Sequence, residues 1–394
     1  MATELAYAAI TPYSLLKSRT GGIIGRLLAL SGTELVGARL FLPSDSFVNE
    51  YMEIIGKQEV EEPLKSALLA YLDEYFRTGN KLGISNRVLV LLLEGKNAIE
   101  SVKAAVGSLS DPQASANSVR GTYGDLITES TGEVRHFEPA VFVGTDKERI
   151  REELMLFSRY AQSDGGVLEH KVKQRAGNAE TTLVILKPDN FKPGSSRPGN
   201  IIDMFSRTGL MIVAARMLRL SVSAAEEFYG PLQAIFREKL KKGVADRVRE
   251  MLSKNFDFPI TAEMVNATAD LLKDANARHE FYRIVQYMTG RDPYVATPEE
   301  RAAPGIERCL ALLYRGPNAV QKIRDSLGST NPQEAAPGTV RSVYGNDLMR
   351  NGAHASDSTE NAERERKIIG MWTNESPSEF ELLIDKHVKK QGVL

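Results

Sequence analysis

The 394-residue chain contains one cysteine, Cys309, so no intrachain disulfide can form, and a reducing compartment is the expectation. Cys309 lies in the apolar stretch Ile306-Glu307-Arg308-Cys309-Leu310-Ala311-Leu312-Leu313, where it reads as a packed core thiol. No run of 18 apolar residues occurs, which excludes a membrane-spanning helix of ordinary length. The N-terminus lacks the basic-then-apolar pattern of a secretory signal. These absences make a cytoplasmic protein without a membrane partner the expectation. Formal net charge is −1, so no global field would draw nucleic acid or an anionic surface. Anion binding would have to come from local clusters. What is present is ordinary for a globular protein: 42% hydrophobic and 26% charged residues, over a length that suggests two or three domains.

Apolar runs separated by Gly, Ser and Asn punctuate the chain. Strands are expected at residues 5 to 11, 35 to 42, 87 to 94 and 137 to 143. Between them, helices are expected after Gly21-Gly22, from Asp45 to Phe76, from Asn97 to Val106 and from Asp146 to Tyr160. Residues 163–180 lack periodicity and carry three Gly, which reads as a linker. The second half then repeats the first. Gly21-Gly22-Ile23-Ile24 matches Gly199-Asn200-Ile201-Ile202. Gly95-Lys96-Asn97-Ala98-Ile99 matches Gly316-Pro317-Asn318-Ala319-Val320, and Ser118-Val119-Arg120 matches Thr339-Val340-Arg341. The offset grows from 177 at Arg39 and Arg216 to 221 at Arg120 and Arg341, so the second copy carries about 44 additional residues. Most fall in a charged, helical-looking insertion at about 231–280. The pattern predicts two α+β domains of ferredoxin-like order, an antiparallel sheet covered by helices, at 1–162 and 181–376, with a tail at 377–394.

The densest chemistry lies in Arg350-Asn351-Gly352-Ala353-His354-Ala355-Ser356-Asp357-Ser358 and the helix after it. Asp357 and Glu360 read as a capping box opening a helix to about Trp372. On that helix Glu365 shares a face with Ala362, Ile369 and Trp372. A carboxylate in an apolar stripe is costly to bury unpaired. His354 is the nearest partner upstream, and a Glu aimed at an imidazole fixes its tautomer. Taken alone, a surface histidine beside a half-exposed Glu reads equally simply. Gly194-Ser195-Ser196-Arg197-Pro198-Gly199 has the glycines of a phosphate-cradling loop but lacks the Lys-Ser/Thr ending, and reads as a turn.

The Arg-Asn-x-x-His-Ala-Ser-Asp-Ser run, with Glu365 eleven residues after the His, resembles the active-site signature of nucleoside diphosphate kinases. Further blocks follow that family's order: Leu186-Lys187-Pro188-Asp189, Gly316-Pro317-Asn318-Ala319-Val320, Thr330-Asn331-Pro332 and Pro337-Gly338-Thr339-Val340-Arg341. The resemblance covers about 180 to 375. It implies transfer of the γ-phosphate of ATP or another nucleoside triphosphate to a nucleoside diphosphate, with His354 as nucleophile and Glu365 as its orienter. It assigns Lys187, Arg324 and Arg341 to the phosphates, Thr330 to a hydroxyl contact, Asn351 to the ribose and phosphate end, Tyr229 to the neighbourhood of the His and Ile284 to the nucleotide. Mg2+ is implied on the nucleotide phosphates, with no protein side chain as its ligand. The two copies would pack as a pseudo-dimer, and further homo-oligomerisation is left open. At the base-stacking position the family's Phe aligns with Glu280, next to Phe281.

The first copy is expected to be catalytically dead. Thr11 stands at the Lys187 position, Lys103 at Arg324, Leu109 at Thr330 and Arg120 at Arg341, with Pro139 near the nucleophile's place and His136 at that of Asn351. Two other readings use the same residues: a non-catalytic nucleotide sensor or scaffold on this fold, and a histidine phosphorelay protein.

Overall fold

Runs of seven to nine residues rich in Val, Leu and Ala form strands buried on both faces, as continuous apolar runs of that length should. In the computed structural model, which describes residues 3–111, 115–172, 178–239, 241–374 and 377–391, they build two sheets. The first uses β1 (Glu4–Ile10), β2 (Glu34–Phe41) and β3 (Val88–Gly95), then, after a separate hairpin of β4 (Asp125–Thr128) and β5 (Val134–Glu138), β6 (Val141–Val143). The second uses β7 (Ala179–Leu186), β8 (Met211–Leu218), β9 (Cys309–Pro317) and β10 (Ala353–Ala355). Strand order is β2-β3-β1-β6 in one and β8-β9-β7-β10 in the other, so each strand has a counterpart in the other copy. β1 pairs antiparallel with β3 and β6, and β7 pairs antiparallel with β9 and β10. This is the ferredoxin-like α+β arrangement, built twice.

The chain divides into two compact units, Met1–Leu218 with Leu310–Leu394, and Arg219–Cys309. The first holds both sheets, so the boundary does not fall at the expected linker. Residues 163–172 are instead folded onto the sheets: Leu42 N–H donates to the Asp164 carbonyl, Gly166 N–H to Leu40 and Leu168 N–H to Val213, at 2.7 to 2.8 Å. Residues 173–177 of that stretch lie outside the described residues. The expected tail is a helix, Glu379–Gln391, that buries Phe380 and Ile384, with Phe380 set 5.9 Å from the ring of Phe41. Its last expected residues, 392–394, are outside those described.

The helix expected from Asp45 to Phe76 is two, Asp45–Gly56 and Leu64–Tyr75, with Pro63 at the N-cap of the second. The last expected strand of the first copy is broken in two at Ala140, whose φ is 59°. The second unit is helical. Helices Lys241–Asn255 and Ala262–Thr289 meet through Val244, Val248, Val265 and Ala269, and Thr261 caps the long helix by accepting from Met264 N–H. Among the described residues no helix is long and apolar enough to cross a membrane.

The repeated Gly-x-Ile-Ile motif lies where the copies meet. Helix Thr20–Ser31 crosses helix Arg197–Ser206 backbone to backbone. A Cβ at Gly199 would stand 2.1 Å from the Gly25 nitrogen and 2.4 Å from the Gly21 oxygen, and one at Gly21 would stand 2.2 Å from the Asp203 nitrogen. Nothing there is a flexible side-chain end that could give way. Gly199→Ala is therefore expected to lower stability by about 3 kcal/mol through forced separation of the helices. Gly243→Ala, in an exposed helix with open space around it, should stabilise by about 1 kcal/mol. Urea unfolding midpoints of the two variants check this, and equal midpoints would mean the helix crossing tolerates a side chain.

Candidate active site

Gly352 has φ 81°, a left-handed conformation that L side chains rarely adopt, and it turns the chain into β10. Its carbonyl accepts from Lys187 N–H at 3.0 Å and from Asn190 Nδ2 at 2.6 Å. Register then pairs Ala353 with Leu186, His354 with Ile185 and Ala355 with Val184. Ser356, two residues beyond His354 along the extended chain, emerges on the same side.

The following helix, Thr359–Ile368, is capped by Ser358, which accepts from Asn361 N–H at 3.0 Å. The cap therefore falls one residue after the expected Asp357, whose carboxylate instead accepts from Asn361 Nδ2. The helix ends at Ile368 rather than Trp372, and Trp372 lies beneath Arg366 and Lys367, which stand 5.0 and 4.5 Å from its ring centroid. The helix buries Glu365, whose Oε2 lies 2.9 Å from His354 Nε2 and accepts from Ser356 Oγ at 2.6 Å. One carboxylate thus fixes both the imidazole and a hydroxyl.

Lys187, at the end of β7, donates from Nζ to Asn351 Oδ1 at 2.7 Å and to the Met349 carbonyl at 2.9 Å. Asn351 is buried, and its Nδ2 donates to the carbonyls of Thr330 and Leu348. Arg341 donates from Nη1 to the Gly328 carbonyl at 2.9 Å and to Thr330 Oγ1 at 3.4 Å, and from Nη2 to the Ala353 carbonyl beside His354 at 3.3 Å. Burial, and secondarily the charge of Arg324, pull the Arg341 guanidinium down to about 10. No carboxylate of the described residues pairs with Arg324 or Arg341, while the buried Glu365 carboxylate faces His354 and Arg364. His354, Glu365, Lys187, Asn351, Thr330, Arg341 and Arg324 are therefore gathered around β10. Tyr229 and Ile284 belong to the other unit. Tyr229 is buried at the end of helix Val222–Tyr229, with its ring 4.9 Å from that of Phe228, and Ile284 is half-buried in helix Ala262–Thr289. In that same helix Glu280 pairs with Arg283 at 2.8 Å and Phe281 is buried.

Two supporting residues were missed in the sequence. Ser356 had a signal, its period-two spacing from His354. Glu169 had none, being in the stretch read as a linker. Its buried carboxylate accepts from Thr181 Oγ1 at 2.6 Å on β7, pairs with Arg315 at 3.0 Å on β9, and pairs with Arg366 at 2.5 Å on the helix that carries Glu365. It is the ionic pin between that helix and the sheet.

Residues 180–245 and 238–372 match the nucleoside diphosphate kinase family. The chain is 30% identical to a nucleoside diphosphate kinase of Chlamydia abortus over 46% of its own length and 86% of the relative's. It is 32% identical to that of Campylobacter fetus subsp. fetus, over 47% and 91%. A crystal structure of the Aquifex aeolicus nucleoside diphosphate kinase aligns at 26% identity and a TM-score of 0.30, over 49% of this chain and 95% of that one.

Strand register also places the first copy's counterparts. Thr11 N–H donates to the Ala140 carbonyl as Lys187 N–H does to Gly352, and both acceptors have positive φ. Arg120 donates to the carbonyls of Gly107, Val141 and Pro139, the first two matching the bonds of Arg341 to Gly328 and Ala353. β6 pairs Val141 with Ile10 and Phe142 with Ala9, so Phe142, not Pro139, stands where His354 does, and Pro139 stands at Asn351. His136 is exposed on β5 and lies 3.8 Å from Asp125, away from both positions. Phe142 packs 5.5 to 6.0 Å from the rings of Phe76, Tyr51 and Tyr71. Eleven residues later comes Glu153, the counterpart of Glu365, fully buried, with Oε1 accepting from Gln58 and Oε2 without a hydrogen-bond partner.

Burial pushes the Glu153 carboxyl up to about 8, against about 4.3 in an unfolded chain. A raised folded pKa means that the folded state holds the proton more tightly. Its stabilising contribution is therefore complete below the unfolded value and is lost as pH rises through about 8. Glu153→Gln should flatten the decline of the urea midpoint between pH 5 and 9, with the largest gain at the alkaline end. Parallel curves for wild type and variant would show that Glu153 does not ionise in this range.

Proposed function

The chain belongs to the nucleoside diphosphate kinase family, and on that premise we propose that its second copy transfers the γ-phosphate of a nucleoside triphosphate, ATP included, to a nucleoside diphosphate through a phosphohistidine at His354. The observation that carries this is the 2.9 Å contact between His354 Nε2 and the Glu365 carboxylate, with Arg341, which pairs with no carboxylate of the described residues, bonded to the Ala353 carbonyl beside it. A carboxylate accepting from Nε2–H leaves the ring's lone pair on Nδ1, which is then the nucleophile. Nδ1 forms a bond to the γ-phosphorus as the bond from phosphorus to the β,γ-bridging oxygen breaks, and the nucleoside diphosphate leaves. The ring becomes cationic while keeping its Nε2 proton, and Glu365 stabilises that charge. In the second half-reaction a terminal oxygen of the acceptor diphosphate attacks the same phosphorus, the P–N bond breaks, and neutral His354 is regenerated.

Lys187, Arg324 and Arg341 would hold the phosphate oxygens, with Arg341 fixed by its bond to the Ala353 carbonyl. Around His354 the one buried carboxylate is already shared with Ser356, so these residues offer no oxygen cage for a divalent ion. Among the described residues no group of three acidic, His or Cys side chains could form one elsewhere. Mg2+ fits as a companion of the nucleotide's phosphates, where it supplies charge neutralisation. We read the first copy as a subunit-like partner, a pseudo-dimer packing supported by the Gly21, Gly25 and Gly199 helix crossing.

Incubation with γ-labelled ATP should give acid-labile label that a nucleoside diphosphate discharges. Label persisting in His354→Ala would remove the assignment. Because Phe142 replaces the nucleophile in the first copy, that variant should carry no label anywhere. Lys187→Ala should lower kcat/KM at least tenfold, equivalent to about 1.4 kcal/mol of lost transition-state stabilisation. Unchanged steady-state kinetics in that variant would place the phosphates elsewhere.

A further inference from the structure

A second cleft, of about 890 Å3, opens within the unit that holds both sheets, and it shares no lining residue with the site around His354. Its walls come from both copies: the loop before β3 on one side, and the start of β8, the end of β9 and helix Arg197–Ser206 on the other. Among the described residues three cations line it, Arg87, Lys171 and Arg315, and no Asp or Glu does. Arg315 is neutralised by Glu169. Arg87 is not neutralised. It is 8% exposed, donates from Nη1 to the Ile212 carbonyl, and keeps a buried Nε without a hydrogen-bond partner. No carboxylate of the described residues pairs with it, and burial alone draws its guanidinium down to about 10.

A buried guanidinium costs several kcal/mol unless an anion and hydrogen-bond acceptors meet it. One carbonyl supplies an acceptor but no charge. The hydroxyls of Ser85 and Tyr314, also buried and without partners, line the same space. Lys171 stands exposed at the rim, its ammonium 2.9 Å from the Ser163 carbonyl. The remaining wall is largely apolar, with Leu42, Ile202, Leu210 and Ile212. The volume is that of a small-molecule site, and its lining includes a buried cation and two hydroxyls without hydrogen-bond partners.

We propose that this cleft between the copies binds an organic anion, a phosphate or carboxylate head on a flat apolar body, with Arg87 pairing the head, the Ser85 and Tyr314 hydroxyls completing its hydrogen bonds, and Lys171 drawing it in at the rim. The site is distinct from the phosphotransfer centre, and its occupant would bridge the two copies, because Arg87 belongs to the first and Tyr314 to the second.

The test is calorimetric titration of the full chain with 2-naphthyl phosphate and, separately, with 2-naphthoate. Saturable binding of one molecule per chain is expected from at least one probe, and the tighter of the two identifies the head group. Arg87→Gln should weaken it at least tenfold, while Lys187→Ala should leave it unchanged. Absence of saturable binding by both probes, or equal binding by Arg87→Gln, overturns the proposal. Loss of binding in Lys187→Ala also overturns it, by assigning the probe to the catalytic centre, and leaves the phosphotransfer reading intact. If circular dichroism shows that Arg87→Gln does not fold, Lys171→Glu decides, since an exposed rim residue can be reversed without disturbing the core. Tenfold weaker binding supports the site, and unchanged binding removes it.

Discussion

Three backbone pairs, Ala353 with Leu186, His354 with Ile185 and Ala355 with Val184, are the constraint on which the site rests. A strand this short has little pairing energy of its own. It is held by what surrounds it: the left-handed turn at Gly352, the Asn190 amide on the Gly352 carbonyl, and the Arg341 guanidinium on the Ala353 carbonyl. Once the pairing is made, the imidazole meets the carboxylate that the next helix presents. Glu365 then fixes the ring's orientation, and Ser356 fixes Glu365. The Arg341 guanidinium is attached to this strand through the Ala353 carbonyl and Lys187 pairs with it through its backbone N–H to Gly352, so His354 and these two cations share one frame.

The first copy shows the same frame with different side chains on it. The bonds that hold the frame recur: Thr11 N–H to the Ala140 carbonyl, and the Arg120 guanidinium to the carbonyls of Gly107 and Val141. Side chains have been converted from a site into a core. Phe142 joins the rings of Tyr51, Tyr71 and Phe76, and Glu153, which has lost its imidazole, is buried beside Gln58. Lys187 is replaced by Thr11, which donates to the buried Glu138 carboxylate at 2.9 Å.

Much of this was legible from residues alone. The repeat, the strand runs and the reach of Glu365 to His354 follow from local patterns, whereas the grouping of Lys187, Thr330, Arg341 and Asn351 was implied by the family resemblance of the long motif. The misreadings have physical causes. Asp357 and Ser358 are both good N-cap acceptors, so composition could not choose between them. The first copy's register slipped by three residues because its turn residue is Ala140, with φ 59°, where the second copy shows a glycine. The β4–β5 hairpin added further residues without a landmark. Glu169 was invisible for another reason. Its partner Arg366 is 197 residues away, and a single long-range ion pair leaves no periodicity to read.

Glu169 lies outside the residues 180–372 that match the family, yet it pins the helix bearing Glu365 to β7 and β9. The helix Glu379–Gln391, also beyond that match, closes over Phe41 of the first copy. Ordinarily a fused pair of copies can be cut apart again, and either half shuffled into another gene. Here the segment between the copies carries the carboxylate that pins the Glu365 helix to the sheet, and the last helix is packed into the neighbouring core. Recombination at the seam would therefore part the Glu365 helix from Glu169 and Phe41 from Phe380, so neither copy could be moved alone with its packing intact.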